Sequence, residues 1–365
     1  MRIYSIFGFI LFFLIGSCID PISLKVNSEE GVIVVDGGII NTEGPYVVNL
    51  FRSVGVTNDL EKRPAVTGAF VYIIDEQGNK IRMKDDVPGI FVSDPGFKAE
   101  YGKSYYLRIE AFDGKIYESK PDILRPVDEI NNVYFEFEDK VDTDPTNPEN
   151  NAGFNIFIDA SLSENVDYVR WSWTGLYEVL TFPEKRMINA GEAGRIPDPR
   201  PCSGYRVING VVTQVGPCEC CACWVTEYSR SPEVADVDFF GGKVSRYKVA
   251  YVPATRQLFH SKYRVEIQQA SISKEVYDYW RLVKVQKEGG SSLFQPTSAK
   301  IKGNLKCIND PSAEIFGLFT VSAVKTKSIF IDKEDIPYKL LPMDSIREDC
   351  RFPYKNSSSV KPDFW

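Results

Sequence analysis

Histidine is nearly absent: His260 is the only one in 365 residues. That scarcity excludes any centre that needs several imidazoles, the histidine-rich zinc hydrolase sites included. Positive charge is short as well. Lysine and arginine number 43 against 50 acidic residues, a formal net charge of −7, so no surface can neutralise a row of nucleic-acid phosphates. The sequence has no G-x-S-x-G nucleophile elbow, no H-E-x-x-H, no phosphate loop and no G-x-G-x-x-G, which removes the common hydrolase, metalloprotease and nucleotide-binding signatures. After residue 15 no stretch is apolar enough to cross a membrane.

What is present begins at the N-terminus. Arg2 precedes the apolar run 7–15, which closes on Gly16 and Ser17. A charged start, a short apolar core and small residues are the layout of a secretory signal peptide, here 1–17. The run is shorter than the ~20 residues of a spanning helix. Ile15-Gly16-Ser17-Cys18 resembles a bacterial lipobox, so Cys18 is the expected lipidation site. Each CH₂ of its acyl chains would add about 0.8 kcal/mol of anchoring. Residues 18–30, rich in Asp, Pro, Ser, Asn and Glu without a period, read as a lipidated tether.

Beyond the tether the chain is expected to be mainly β. Aromatics are 13% of the residues, and they suit a pleated, half-buried surface. Val32–Gly37 reads as a short strand closed by a turn. Strands are also expected at Tyr46–Phe51, after Gly44-Pro45, and at Phe70–Asp75, which runs into the hairpin signal Glu76-Gln77-Gly78-Asn79. In Tyr105–Glu110 the period is two, with Leu107 and Ile109 on one face and Arg108 and Glu110 on the other. About seven short strands over 31–126 predict an immunoglobulin-like β-sandwich. Residues 127–365 predict a second β-rich domain with one or two helices. Its strands include Val133–Glu138, Phe154–Asp159, Tyr168–Trp173, Lys248–Val252, Tyr263–Gln268, Gly317–Ser322 and Lys327–Ile331. A Gly- and Pro-rich, cysteine-bearing excursion interrupts them at about 184–224, and such long loops are usually functional. One helix is expected at about 273–287, capped by Ser273, with Val276, Trp280 and Val283 on one face and Gly289-Gly290 at its end.

Several segments in order resemble a known family. They are Cys18-Ile19-Asp20-Pro21, Val34-Val35-Asp36-Gly37, Gly44-Pro45-Tyr46 and Leu50-Phe51-Arg52-Ser53, then Tyr279-Trp280, Gly290-Ser291-Ser292-Leu293-Phe294 with Pro296, Gly303-Asn304-Leu305 and Gly317-Leu318-Phe319. This ordered set is similar to the Bacteroidota outer-membrane lipoproteins named for domain of unknown function 4249, over almost the whole mature chain. The resemblance implies a β-sandwich first domain, a β-rich second part and an outer-membrane address. It also implies partnership with TonB-dependent receptors. It transfers no catalytic residues.

Four of the eight cysteines lie in Cys218-Glu-Cys220-Cys221-Ala-Cys223. With Cys18 lipidated, seven remain: Cys202, Cys218, Cys220, Cys221, Cys223, Cys307 and Cys350. Past the inner membrane disulfides persist, and structural bridges are the favoured reading. The cluster lacks zinc-ribbon spacing and a nearby histidine. Its C-x-x-C readings, Cys218–Cys221 and Cys220–Cys223, have no βαβ surroundings to make a redox centre. Neighbouring Cys220 and Cys221 point different ways in an extended chain, so they can serve two bridges. Cys202 is a candidate partner across the excursion. Cys307 and Cys350 could pair with each other or pin the excursion to the body. Connectivity is open, and seven is odd, so one thiol stays free or pairs elsewhere.

The other chemical candidates are weak. His260 sits between two expected strands with no accompanying nucleophile, and reads as structural. Asp139, Asp142 and Asp144 lack the glycine and glutamate of a calcium loop and read as a solvated acidic loop. Trp171 and Trp173 share one strand face, favouring core over a sugar platform. Asp344-Ser345-Ile346 matches the short O-glycosylation pattern of Bacteroidota, with Ser345 as acceptor. No cofactor, metal or nucleic acid is expected. The expected function is that of a non-enzymatic, lipid-anchored, surface-facing outer-membrane protein that captures ligand for a TonB-dependent receptor. The alternatives are a structural subunit of an outer-membrane assembly or secretion complex, and an enzyme with an unrecognised site.

Overall fold

The computed structural model describes residues 31–54, 63–139, 152–163, 165–289, 300–343 and 345–365. The expected signal peptide, Cys18, the tether, Asp142 and Asp144 lie outside the described residues. The chain is mainly β. Its first eight strands are β1 (Ile33–Ile40), β2 (Val47–Arg52), β3 (Phe70–Asp75), β4 (Lys80–Val87), β5 (Ile90–Val92), β6 (Ser104–Glu110), β7 (Ile116–Ser119) and β8 (Asp122–Ile123). Then come β9 (Ile130–Asp139), β10 (Ala152–Ser161), β11 (Tyr168–Leu180), β12 (Met187–Asn189), β13 (Arg195–Pro197), β14 (Tyr205–Ile208), β15 (Val211–Gln214) and β16 (Ala222–Tyr228). The last elements are β17 (Glu233–Asp236), β18 (Lys243–Pro253), β19 (Lys262–Ile272), helix α1 (Lys274–Gly289), β20 (Leu305–Cys307), β21 (Ile315–Ser322), β22 (Val324–Asp332) and β23 (Ser357–Ser358).

Alternation builds the first body. In β6, Tyr105, Leu107 and Ile109 are buried while the residues between them are partly exposed, the pattern of a strand with one face on a core. Strand β4 pairs with β3 along its first half, through Tyr72↔Arg82, and with β5 along its second, through Lys84↔Val92. The sheet therefore folds over itself around a core that holds Val35, Leu50, Ile73, Phe91 and Leu107. Its strand order is β20-β7-β6-β3-β4-β5-β2-β1-β21, with β8 beside β6.

Two features differ from the sequence reading. Gly37 does not close β1 with a turn; the strand continues through Gly37 and Gly38 to Ile40. The glycines are needed for packing, because a Cβ on Gly37 would stand 2.8 Å from the Val48 Cα and one on Gly38 2.6 Å from the Thr320 carbonyl oxygen. The first body is also not one continuous stretch ending at 126. Strand β21 returns to pair in parallel with β1, from Ile33↔Ile315 to Ile40↔Ser322, and β20 pairs with β7.

In the second body the sheet β18-β10-β9 faces the sheet β22-β19-β11-β16-β23, with β17 also on β11. Phe154, Ile156, Trp171, Tyr177, Val265 and Ile267 fill the space between. Helix α1 lies where the bodies meet. Val276 packs with Ile272 of β19 and Leu318 of β21, and Glu275 pairs with Lys120 at 3.2 Å. The connection between the bodies is held as well, since Gln269 Nε2 donates to the Asp128 carbonyl at 2.8 Å and Ser271 Oγ to the Arg125 carbonyl at 2.8 Å. Among the described residues α1 is the one α-helix, and no helix is long and apolar enough to cross a membrane.

Candidate functional site

Strand β11 places Trp171, Trp173, Gly175 and Tyr177 on one face, by the two-residue period of a strand. Trp171 is core: its Nε1 donates to Gln269 Oε1 at 2.8 Å, and the ring is fully buried. Trp173, two residues on, is half-buried. The difference lies in what flanks β11. Strand β16 pairs with Thr174 to Leu180 and β17 with Tyr168 to Trp171. Between them the chain at 229–232 leaves the sheet, tied back by Ser229 N–H to the Trp173 carbonyl at 2.9 Å.

That gap opens a cleft of about 910 Å³, bordered by the rings of Trp173, Tyr177, Tyr228, Tyr251 and Tyr354. Its size falls within the ~300–1,000 Å³ of small-molecule sites. Glu227, Arg230, Glu233, Lys248 and Lys355 add charge to the lining. The aliphatic members, Val225, Val249, Ala250 and Leu258, form a buried floor.

Beneath the cleft Tyr177 stacks on Tyr263 with centroids 6.0 Å apart. The Tyr263 hydroxyl donates to Glu227 Oε2 at 2.9 Å, and Gln257 Nε2 donates to the Tyr177 hydroxyl at 3.3 Å. Tyr263 fits because residue 175 is glycine, since a Cβ there would lie 1.8 Å from its hydroxyl oxygen. Burial pushes the Tyr177 phenol up to about 12. Burial, then the Glu227 carboxylate, raises Tyr263 as well. Both phenols hold protons more tightly folded than unfolded. The contribution of Tyr177 to stability is therefore complete below the ordinary phenol value of 10.0 and is lost as pH rises through about 12, while that of Tyr263 persists beyond that window. Alkaline denaturation followed by circular dichroism should show stability falling across that window, less steeply for Tyr177→Phe. Unchanged stability through the window would mean that these rings are not buried.

The excursion runs over 181–221, because Ala222 already belongs to β16. It carries two hairpins, β12–β13 and β14–β15, and two bridges, Cys202–Cys220 and Cys218–Cys221; a third, Cys223–Cys350, ties the start of β16 to the C-terminal tail. The C-terminal tail clasps it. Glu348 accepts from Arg186 Nε and Arg200 Nε, each at 2.7 Å, and the Arg200 contact, with that of Arg186, holds its carboxyl below the usual carboxylate range. The same tail supplies Tyr354, Lys355 and Asn356 to the cleft wall and pairs as β23 with β16. The hairpins expose Ile188, Ile196, Val207, Ile208 and Val211.

The remaining candidates are scattered. Cys307 enters no bridge; it is a buried free thiol whose Sγ donates to Asn309 Oδ1 at 3.3 Å. Its β20 position packs it into the core of the first body, and Cys350 is taken by Cys223. The Cys202 and Cys220 sulfurs and an Asp349 oxygen lie within 4.8 Å of one another, but the sulfurs are bonded to each other and offer no thiolate. His260 is exposed in the turn before β19 and does not line the cleft. Asp139 and Ser345 are exposed. Nothing in the sequence alone marks Tyr228, Arg230, Tyr251 and Tyr354 as members of one site. The one signal of the cleft legible in the sequence is the alternation of Trp171 and Trp173; the other walls come from distant segments.

Two comparisons with known proteins bear on the chain. The family model described as a domain of unknown function (DUF4249) matches residues 19–328. No curated protein matches the chain.

Proposed function

Because the chain belongs to the DUF4249 family, whose description names no activity, we propose a function from the chain's own residues. It is a lipid-anchored, non-enzymatic protein of the outer-membrane surface that captures a ligand for a TonB-dependent receptor. The observation that carries this reading is the aromatic cleft on a rigid sandwich, its wall fixed by the Cys223–Cys350 bridge. Its carboxylates suit binding better than catalysis: Glu227 is held by the Tyr263 hydroxyl, and Glu233 by Tyr247 and Lys284. Anchoring through Cys18 would make receptor contact effectively intramolecular, at concentrations up to ~mM for a short linker. A weak interface would then suffice.

A second reading, a structural subunit of an outer-membrane assembly complex, is favoured by the exposed aliphatic side chains of the two hairpins. Metabolic labelling with a clickable palmitate analogue, followed by affinity purification from the native membrane, tests both. Wild type should carry label and bring down one receptor barrel, whereas Cys18→Ser should lose label and complementation. Recovery of an assembly machine instead would favour the second reading. Equal labelling of both proteins would remove Cys18 as the anchor.

A further inference from the structure

Building on the ligand-capture reading, we infer that the Trp173 cleft takes an acidic oligosaccharide, a chain of sugar rings that carries carboxylates. The surface open to a ligand is aromatic and polar. Trp173, Tyr251 and Tyr354 are half-buried and Tyr228 is 60% exposed, whereas the aliphatic floor is at most 7% exposed. Flat rings with polar edges pack on the C–H faces of sugars while their rims hydrogen-bond. A lipid or an apolar peptide anchor needs open aliphatic surface, and here that surface is covered.

The charge of the lining selects the class further. Its two carboxylates are engaged from the protein side. Glu233 accepts from Lys284 Nζ at 2.8 Å and from the Tyr247 hydroxyl at 3.0 Å, and Glu227 accepts from Tyr263. Arg230 and Lys248 are exposed and form no ion pair among the described residues; Lys248 lies 5.5 Å from the Tyr251 ring centroid. In a chain of net charge −7 this is a local reversal of sign, and such a cleft concentrates anions.

Calorimetric titration of the full chain in detergent, with tetragalacturonate, its methyl ester and a tetraglutamate peptide, tests the inference. Tetragalacturonate should bind. Arg230→Ala and Lys248→Ala should each weaken it about fivefold, the worth of one partly solvated charge contact. Added salt should weaken it too, by screening, and Tyr228→Ala should weaken it without changing the salt dependence. All three side chains are exposed, so unchanged melting temperatures should show that the variants fold. Equal binding of the ester would overturn the anionic selectivity, and equal binding of tetraglutamate the saccharide. Failure of all three probes would overturn the inference as a whole. A receptor barrel still recovered from the membrane in that case would leave the partnership standing, so the two failures are distinguishable.

Discussion

Removing the Cys223–Cys350 bridge, as the double variant Cys223→Ala with Cys350→Ala, should cost about 4–5 kcal/mol by the loop-entropy relation. The loop it closes spans 127 residues, and the cost of closing a loop grows with its length. A loss of that size should lower the melting temperature by about 10–15 °C for a body this large. The same relation gives only about 1.5 kcal/mol for Cys218–Cys221, whose partners are 3 apart, and about 3 kcal/mol for Cys202–Cys220, 18 apart. Alanine at both positions avoids leaving a lone buried thiol. The effect should reach the cleft as well, because the freed tail carries Tyr354 and β23. Calorimetry on the three double variants checks the ranking. Equal losses, or a Cys223/Cys350 variant that melts with wild type, would show that the long bridge does not hold the tail.

Gly317→Ala should prevent the first body from closing. Gly317 has φ +95°, and a Cβ there would lie 1.8 Å from the Val35 carbonyl oxygen and 2.7 Å from its carbon. Both are backbone atoms of β1, so no side-chain rotation relieves the contact. The parallel ladder β1–β21 must part, and a cost above about 4 kcal/mol is expected of so direct a clash. Gly78→Ala separates strain from contact. Gly78 also has positive φ, at +83°, but nothing lies within 4 Å of its Cβ position. It should cost only about 1 kcal/mol, the ordinary penalty of a left-handed residue with a side chain. Limited proteolysis should cut Gly317→Ala within the first body and spare Gly78→Ala. Similar protection of both variants would argue that β21 does not approach β1 so closely.

Local pattern carried much of the fold. The alternation of β6 is visible in Tyr105–Glu110, and the hairpin between β3 and β4 in Glu76–Asn79, where Gly78 takes its positive φ. Helix α1 follows its Val276, Trp280, Val283 face, with Val276 the buried member. Period two tells which face of a strand is buried but not which strand lies beside it. For that reason Gly317–Ser322 read as a strand while its partner β1 did not follow. Gly37 reads as a turn because the close neighbour its missing side chain makes room for, Val48, lies on another strand. The same limit hid the cleft. Trp171 and Trp173 are equivalent in the alternation and differ only because β16 and β17 separate between them. Adjacent Cys220 and Cys221 enter different bridges, as opposite-pointing neighbours can, but the choice of Cys350 over Cys307 depends on where the tail crosses.

The parallel ladder between β1 and β21 also sets the order of biogenesis. Asn41 Oδ1 accepts from the Val324 N–H, a contact 283 positions apart, so β1 is made early and covered late. At ~5–20 residues per second of synthesis, its outer edge waits on the order of tens of seconds for its partner. An unpaired edge is a template for intermolecular pairing. A nascent chain halted before residue 315 would present that edge together with the apolar side of β1, the kind of surface a holding chaperone binds.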